Sequence, residues 1–243
     1  MTTLKLSSLA QAVAICVGAT LFCGNALAAT KGDKVTYDQA KSSAKATYDT
    51  DKKACDAMSG NAKDICVAEA KAKRVKTQET AEADYKNTPK ARERAIHEGA
   101  EADYKVAKER CDDKAGNAKD VCIKEAKAAL TKTEANAEAS YKNTPKAREH
   151  AIHEIAEVDY KVAKERCDDK AGNDKDVCIK EAKAVLTRTE ADAKATKKGT
   201  EARIDASKDK RDADYKVAAE KCDALAGDPK AACIADAKAR FGK

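Results

Sequence analysis

The chain has 243 residues, of which 37% are charged and 4% aromatic, with no tryptophan. So few large apolar side chains cannot fill the interior of a globular domain, which excludes a conventional core. The 48 Lys and Arg and 42 Asp and Glu leave a formal net charge of +6, but the signs interleave, as in "KVAKERCDDK"; no basic face runs far enough to follow a phosphate backbone, and nucleic acid is not an expected partner.

The chain opens "MTTLKLSSLAQAVAICVGATLFCGNALAAT". Lys5 precedes an apolar run from Leu9, and Ala26-Leu27-Ala28 has the small-residue form of a processing site. Residues 1–28 therefore read as a cleavable secretory signal peptide. A retained anchor would need about 20 apolar residues, and Gln11, Thr20 and Asn25 interrupt the run. Ile15 and Phe22 stand where a lipoprotein would carry a small residue before Cys16 or Cys23. The expected location is the periplasm, with no stable membrane insertion after cleavage.

Beyond the signal the sequence repeats. Tyr48, Tyr104, Tyr160 and Tyr215 begin equivalent segments spaced 56, 56 and 55 residues apart. The stretches from Tyr104 and Tyr160 are nearly identical, the mark of a duplicated structural unit. Such a period holds two helices of about 25 residues, roughly 40 Å long, and two turns. The reading is an all-α fold of tandem antiparallel helical hairpins: residues 31–87, 88–143, 144–198 and a truncated fourth, 199–243. Ala, Lys, Glu and Arg between the breaks favour helix over the disorder that so polar a chain would otherwise permit.

Two kinds of break recur. Gly60, Gly116, Gly172 and Gly227 are placed to end a helix at positive φ. Asn61, Asn117, Asn173 and Asp228 then serve as N-caps, with Asp64, Asp120 and Asp176 in the following first turn. At the other break, "NTPK", Thr88 and Thr144 cap helices that begin at Pro89 and Pro145. "KKGT" around Gly199 takes its place in the third unit.

Eight cysteines remain after the signal, in four pairs with ten residues between partners: Cys55 and Cys66, Cys111 and Cys122, Cys167 and Cys178, Cys222 and Cys233. Each pair is centred on its Gly-Asx turn, so a chain that doubles back there sets the thiols face to face as a disulfide staple. Continuing this register predicts opposed pairs Ala107–Ala126, Tyr104–Ala129, Ala100–Thr133 and His97–Asn136. The next hairpin gives Ala163–Ala182, Tyr160–Val185, Ala156–Thr189 and His153–Asp192. A seam of small residues buries little area at about 25 cal/mol per Å². One short-loop disulfide contributes on the order of 3 kcal/mol, and export provides the oxidising conditions that form it.

Other chemistry fits less well. Zinc sites usually pair cysteines two to four residues apart, and neither a Cys-x-x-Cys redox motif nor a haem attachment motif is present. His150 and His153 lie one helical turn apart, but His150 is replaced by Arg94 in the preceding unit, and His97 and His153 read as seam polar residues bonded to Asn136 and Asp192 rather than as metal ligands. No cofactor and no catalytic residue is expected. The tyrosines read as packing anchors. A second apolar stripe, Ile152, Ile155 and Val162 with Ile179 and Leu186 on the partner helix, is the candidate surface for contact between hairpins or with another protein.

The repeated "CDxxxGNxKDxCxxEAK" unit, Cys111 to Lys127, resembles that of uncharacterised exported proteobacterial proteins, especially of beta-proteobacteria, often labelled cell-envelope biogenesis protein TolA. The resemblance covers nearly all of the chain after the signal and implies an exported, helical, envelope-associated protein. TolA proper has an uncleaved anchor and a folded C-terminal domain; here the anchor reads as cleavable, and the chain stops at "KARFGK" soon after the last hairpin begins. The expected function is a non-catalytic periplasmic role, structural, envelope-associated or in stress response, with an envelope protein or a second copy as partner. The alternative is a metal- or redox-responsive protein using the Cys pairs and His153. Sequence leaves open whether the hairpins extend as a rod or fold into a meander.

Overall fold

The computed structural model describes residues 32–243; the signal peptide expected at 1–28 lies outside the described residues. The helices are α1 (Lys34–Cys55), α2 (Gly60–Lys86), α3 (Pro89–Cys111), α4 (Gly116–Lys142), α5 (Pro145–Arg166), α6 (Gly172–Cys222) and α7 (Gly227–Phe241), with one 3-10 turn at Cys167–Asp169. No strand occurs among the described residues, and the fold is all-α. Substantial packing joins only helices consecutive in the chain. From α1 into α6 that is a meander, whereas α6 runs straight on from the third hairpin into the fourth.

All four staples form. Cys55–Cys66, Cys111–Cys122, Cys167–Cys178 and Cys222–Cys233 are disulfide-bonded, with Cα atoms 5.6 to 5.8 Å apart. They join α1 to α2, α3 to α4, the end of α5 to α6, and α6 to α7. Four closed disulfides are the product of an oxidising, extracytoplasmic environment. Among the described residues the largest fully buried side chains are Leu186, Cys55, Cys111, Cys167 and Cys222, and alanine makes up most of the rest of the interior. An ion pair closes each tip as well: Lys63–Asp56 at 2.9 Å, Lys119–Asp112 at 2.8 Å, Lys175–Asp168 at 3.0 Å and Lys230–Asp223 at 2.9 Å. The hydrogen bond from Lys63 holds the Asp56 carboxyl below its ordinary range, and the one to Asp112 raises the Lys119 ammonium.

The unstapled neighbours pack differently. Across α2 and α3, Ala72, Ala102 and Val106 form a buried cluster with Ala68 and Val75 against it. Across α4 and α5, Ala135, Ala139 and Ala151 do the same with Ile155. Ion pairs in one register flank both interfaces: Arg110–Glu69 (2.5 Å) and Lys76–Asp103 (2.7 Å), then Arg166–Glu125 and Lys132–Asp159 (both 2.6 Å). Buried clusters thus occur at both unstapled interfaces, while the fully buried Leu186 lies on α6, which is stapled to α5 and α7.

The breaks confirm part of the sequence reading and correct the rest. Thr88 and Thr144 accept hydrogen bonds from the amides of Ala91 and Ala147 at 3.1 Å, with Pro89 and Pro145 beginning the helices. The preceding Asn87 and Asn143 adopt the left-handed conformation, a C-cap role that asparagine tolerates and that sequence reading missed. Gly60, Gly116, Gly172 and Gly227 do have positive φ, of 56, 54, 53 and 61°. They stand at the start of the second helix of each hairpin, however, not at the end of the first. Asn61, Asn117, Asn173 and Asp228 accordingly lie inside their helices rather than at the N-cap, and Asp64, Asp120 and Asp176 fall just beyond the first turn. The Asn61 amide instead donates to the carbonyl of Glu109 at 3.0 Å, tying α2 to the end of α3.

The expected break at Gly199 does not occur: α6 runs unbroken for 51 residues, about 76 Å at 1.5 Å per residue. An exposed glycine costs a helix only about 1 kcal/mol relative to alanine, far less than a proline. Thr200 donates its hydroxyl to the carbonyl of Thr196 at 2.8 Å within the helix instead of capping a new one. The boundary placed between 198 and 199 therefore falls inside α6.

Removing one staple with Cys111→Ser and Cys122→Ser is expected to lower unfolding free energy by about 3 kcal/mol. Thr144→Ala should cost about 1 kcal/mol. Chemical denaturation followed by circular dichroism measures both, and equal losses would contradict the dominance of the staples.

Candidate functional site

Because α2 and α4 flank α3 as α4 and α6 flank α5, the meander forms two grooves related by the repeat. The first, of about 480 Å³, has Ala100, Ala107 and Ala126 along its floor, with Tyr104, Leu130 and Ile96 around it. The second, of about 600 Å³, has Ala156, Ala163 and Ala182 with Tyr160, Leu186 and Ile152. Lys76–Asp103 and Lys132–Asp159 bridge the lips of the two. Ala107, Ala126, Tyr104, Ala129, Ala100 and Thr133 of the expected seam all line the first groove, and their counterparts Ala163, Ala182, Tyr160, Val185, Ala156 and Thr189 the second.

Each seam tyrosine has a partner on the facing helix. The Lys127 ammonium lies 5.5 Å from the Tyr104 ring centre and that of Lys183 5.3 Å from Tyr160; Arg74 is 4.6 Å from Tyr48, and Phe241 meets Tyr215 edge-on at 6.4 Å. Tyrosine here is a packing body with its face covered by a cation or a ring.

The histidine partners differ from expectation. His97 Nε2 meets Glu134 at 2.9 Å, and His153 Nε2 meets Glu190 at 3.1 Å; Asn136 and Asp192 are exposed instead. A carboxylate on a longer arm reaches across the seam and accepts the stronger, charge-assisted bond. His150 pairs with Glu154 on its own helix at 3.3 Å, so the two histidines of "EHAIHE" are not brought to one point. His153, Glu157 and Glu190 are: their ligand-capable atoms lie within 4.8 Å of one another. Sequence reading missed the two glutamates. The one-turn spacing of His153 and Glu157 was visible, but Glu190 joins them only through the folded register.

The apolar stripe is largely internal. Val162 and Leu186 are buried, Ile155 packs against the α4–α5 cluster, Ile179 is half-buried and Ile152 lies at the groove rim. These residues hold α5 between α4 and α6 rather than offering a free face. Cys55, Cys66, Cys111, Cys122, Cys167, Cys178, Cys222 and Cys233 all sit in local disulfides, so none supplies a thiol in this state.

Filling the groove floor tests this packing. Ala156→Leu, at a buried contact, is expected to destabilise by about 1–3 kcal/mol through overpacking. Ala129→Leu, on an exposed wall, should change stability by less than about 0.5 kcal/mol; thermal denaturation of both distinguishes floor from wall.

Comparisons with protein-family models, with curated proteins and with solved structures give no match for this chain.

Proposed function

We propose that this is a non-catalytic, exported helical repeat protein of the cell envelope, a disulfide-stapled spacer or scaffold that works in the periplasm. One observation carries the reading: what the repeat reproduces is packing hardware. Staples and tip ion pairs recur four times, cross-helix Arg–Glu and Lys–Asp pairs twice, and two grooves share one design. Duplication of such devices extends an architecture and multiplies one kind of surface. The resemblance to exported proteins labelled TolA and the "ALA" processing pattern support the location.

Fractionation tests it. Mass spectrometry of the periplasmic fraction should find a chain beginning at Ala29 with all four disulfides closed locally, and cross-linking in envelope extract should recover a stoichiometric envelope protein. A chain retained in the cytoplasm, or sulfurs joined between distant repeats, would refute it.

His153, Glu157 and Glu190 favour a second reading, a divalent-cation site with one imidazole nitrogen and two carboxylates, a donor set suited to Zn²⁺. On this reading Zn²⁺ binds once per chain, His153→Ala abolishes binding and His97→Ala leaves it intact. Isothermal titration of the oxidised protein shows this, and equal losses in both variants would remove the site.

A further inference from the structure

The straight course of α6 leaves two matching half-interfaces uncovered. Ala72 in α2 and Ala128 in α4 are 3% and 5% exposed, covered by the helix that follows the Thr-Pro turn, whereas their counterpart Ala184 is exposed. Val106 and Val162 are each 7% exposed where α3 and α5 pack back on the preceding helix; their counterpart Val217 is 56% exposed. The flanking charges persist. Glu181 and Arg188 stand where Glu125 and Lys132 do on α4, and Asp214 and Lys221 where Asp159 and Arg166 do on α5. Among the described residues none of these four α6 side chains has an ion-pair partner.

The arrangement is symmetric. Glu181 and Lys221, Arg188 and Asp214, Asp192 and Lys210, and Val177 and Leu225 are each equidistant in sequence from Glu201. Three pairs have opposite charges, and Val177 and Leu225 are both apolar and both 44% exposed. On an ideal helix Glu181, Ala184 and Arg188 lie about 60° around the axis from Asp214, Val217 and Lys221, on one side of the rod. The 55-residue step from Tyr160 to Tyr215 produces this alignment. One more residue, as in the other repeats, would turn the second group about 100° further, away from the first. Between the groups the same side carries Ala195, Gly199, Ala202 and Ala206, all exposed, so a second helix can approach closely. The residues that meet α5 and α7, among them Leu186, Lys197, Tyr215 and Cys222, point the other way.

We propose that α6 pairs antiparallel with α6 of a second copy of this chain, about a two-fold axis level with Glu201. Each copy then supplies both halves of the interface that α2 with α3, and α4 with α5, make within one chain, and every contact occurs twice, as an isologous dimer requires. A fold-back of one chain at Gly199-Thr200 would use the same pairs. The second copy is the occupant favoured because Thr200 is hydrogen-bonded inside a continuous helix, Glu201 replaces the proline of the other turns, and the 55-residue step aligns the two groups only if the helix stays straight.

Analytical ultracentrifugation of the oxidised chain from Ala29 should show a dimer. Glu181→Lys should weaken it by about tenfold, since the pair occurs twice and exposed pairs are individually modest, and adding Lys221→Glu should restore it. Ala202→Cys, near the axis, should give a covalent dimer with a short bis-maleimide; one thiol per chain cannot cross-link within a monomer. A monomer at all concentrations overturns the proposal. So does an intrachain cross-link between Arg188→Cys and Asp214→Cys in one chain, which reports the fold-back.

Discussion

Everything in this fold follows from the scarcity of large apolar side chains. Alanine-faced helices can approach closely, but each methyl group removes little area from water, and the entropy of ordering a long charged chain opposes folding throughout. A disulfide beside each tip works on the other side of that balance, by restricting the unfolded chain. It also sets register. With Cys111 bonded to Cys122, the facing positions along α3 and α4 are determined for several turns, and Tyr104 beneath Lys127 and His97 beside Glu134 follow from it.

The unstapled turns show the complementary solution. Where Thr-Pro replaces the cysteines, the helices meet through Val106, Ala102 and Ala72, and through Ala135, Ala139 and Ala151, with Arg–Glu and Lys–Asp pairs along the margins. Exposed ion pairs add little energy each; repeated in one register, they select a single alignment of otherwise similar helix faces. Because each described helix packs chiefly on its neighbours in the chain, stability accumulates locally as in other repeat arrays. A layer this thin brings every charged side chain to water, consistent with the absence of buried polar residues among those described.

Much of this was legible in sequence because the signals were local. The staples are a spacing rule around glycine, and the Thr88 and Thr144 caps are defined by a hydroxyl and the proline after it. The failures involve competition over distance. Asn61 looks like an N-cap, yet its amide reaches a carbonyl on α3; His97 faces Asn136 by register, yet Glu134 offers a charge. The apolar stripe around Val162 could be seen as a helix face but not assigned to α4 and α6 as its cover. Gly199 resembled a break only by analogy with the other units. The helix propensity of the residues on either side outweighs one glycine when no proline follows.

Aromatic contacts mark two of the helix pairs, α1 with α2 and α6 with α7. At the start, Gly32 donates its amide to the carbonyl of Tyr85 at 2.8 Å, and a Cβ there would lie 2.8 Å from the Asp84 oxygen, so only glycine lets the segment before α1 lie this close to α2. Tyr37 stacks on Tyr85 beside it, with ring centres 4.9 Å apart. At the other end Phe241 closes on Tyr215, and Lys243 pairs with Asp212. In both pairs an aromatic contact supplies a large apolar surface that the alanine-faced seams elsewhere lack. By that comparison the long outer face of α6 is the anomaly. It keeps the charges of an internal interface, and among the described residues no aromatic side chain covers it.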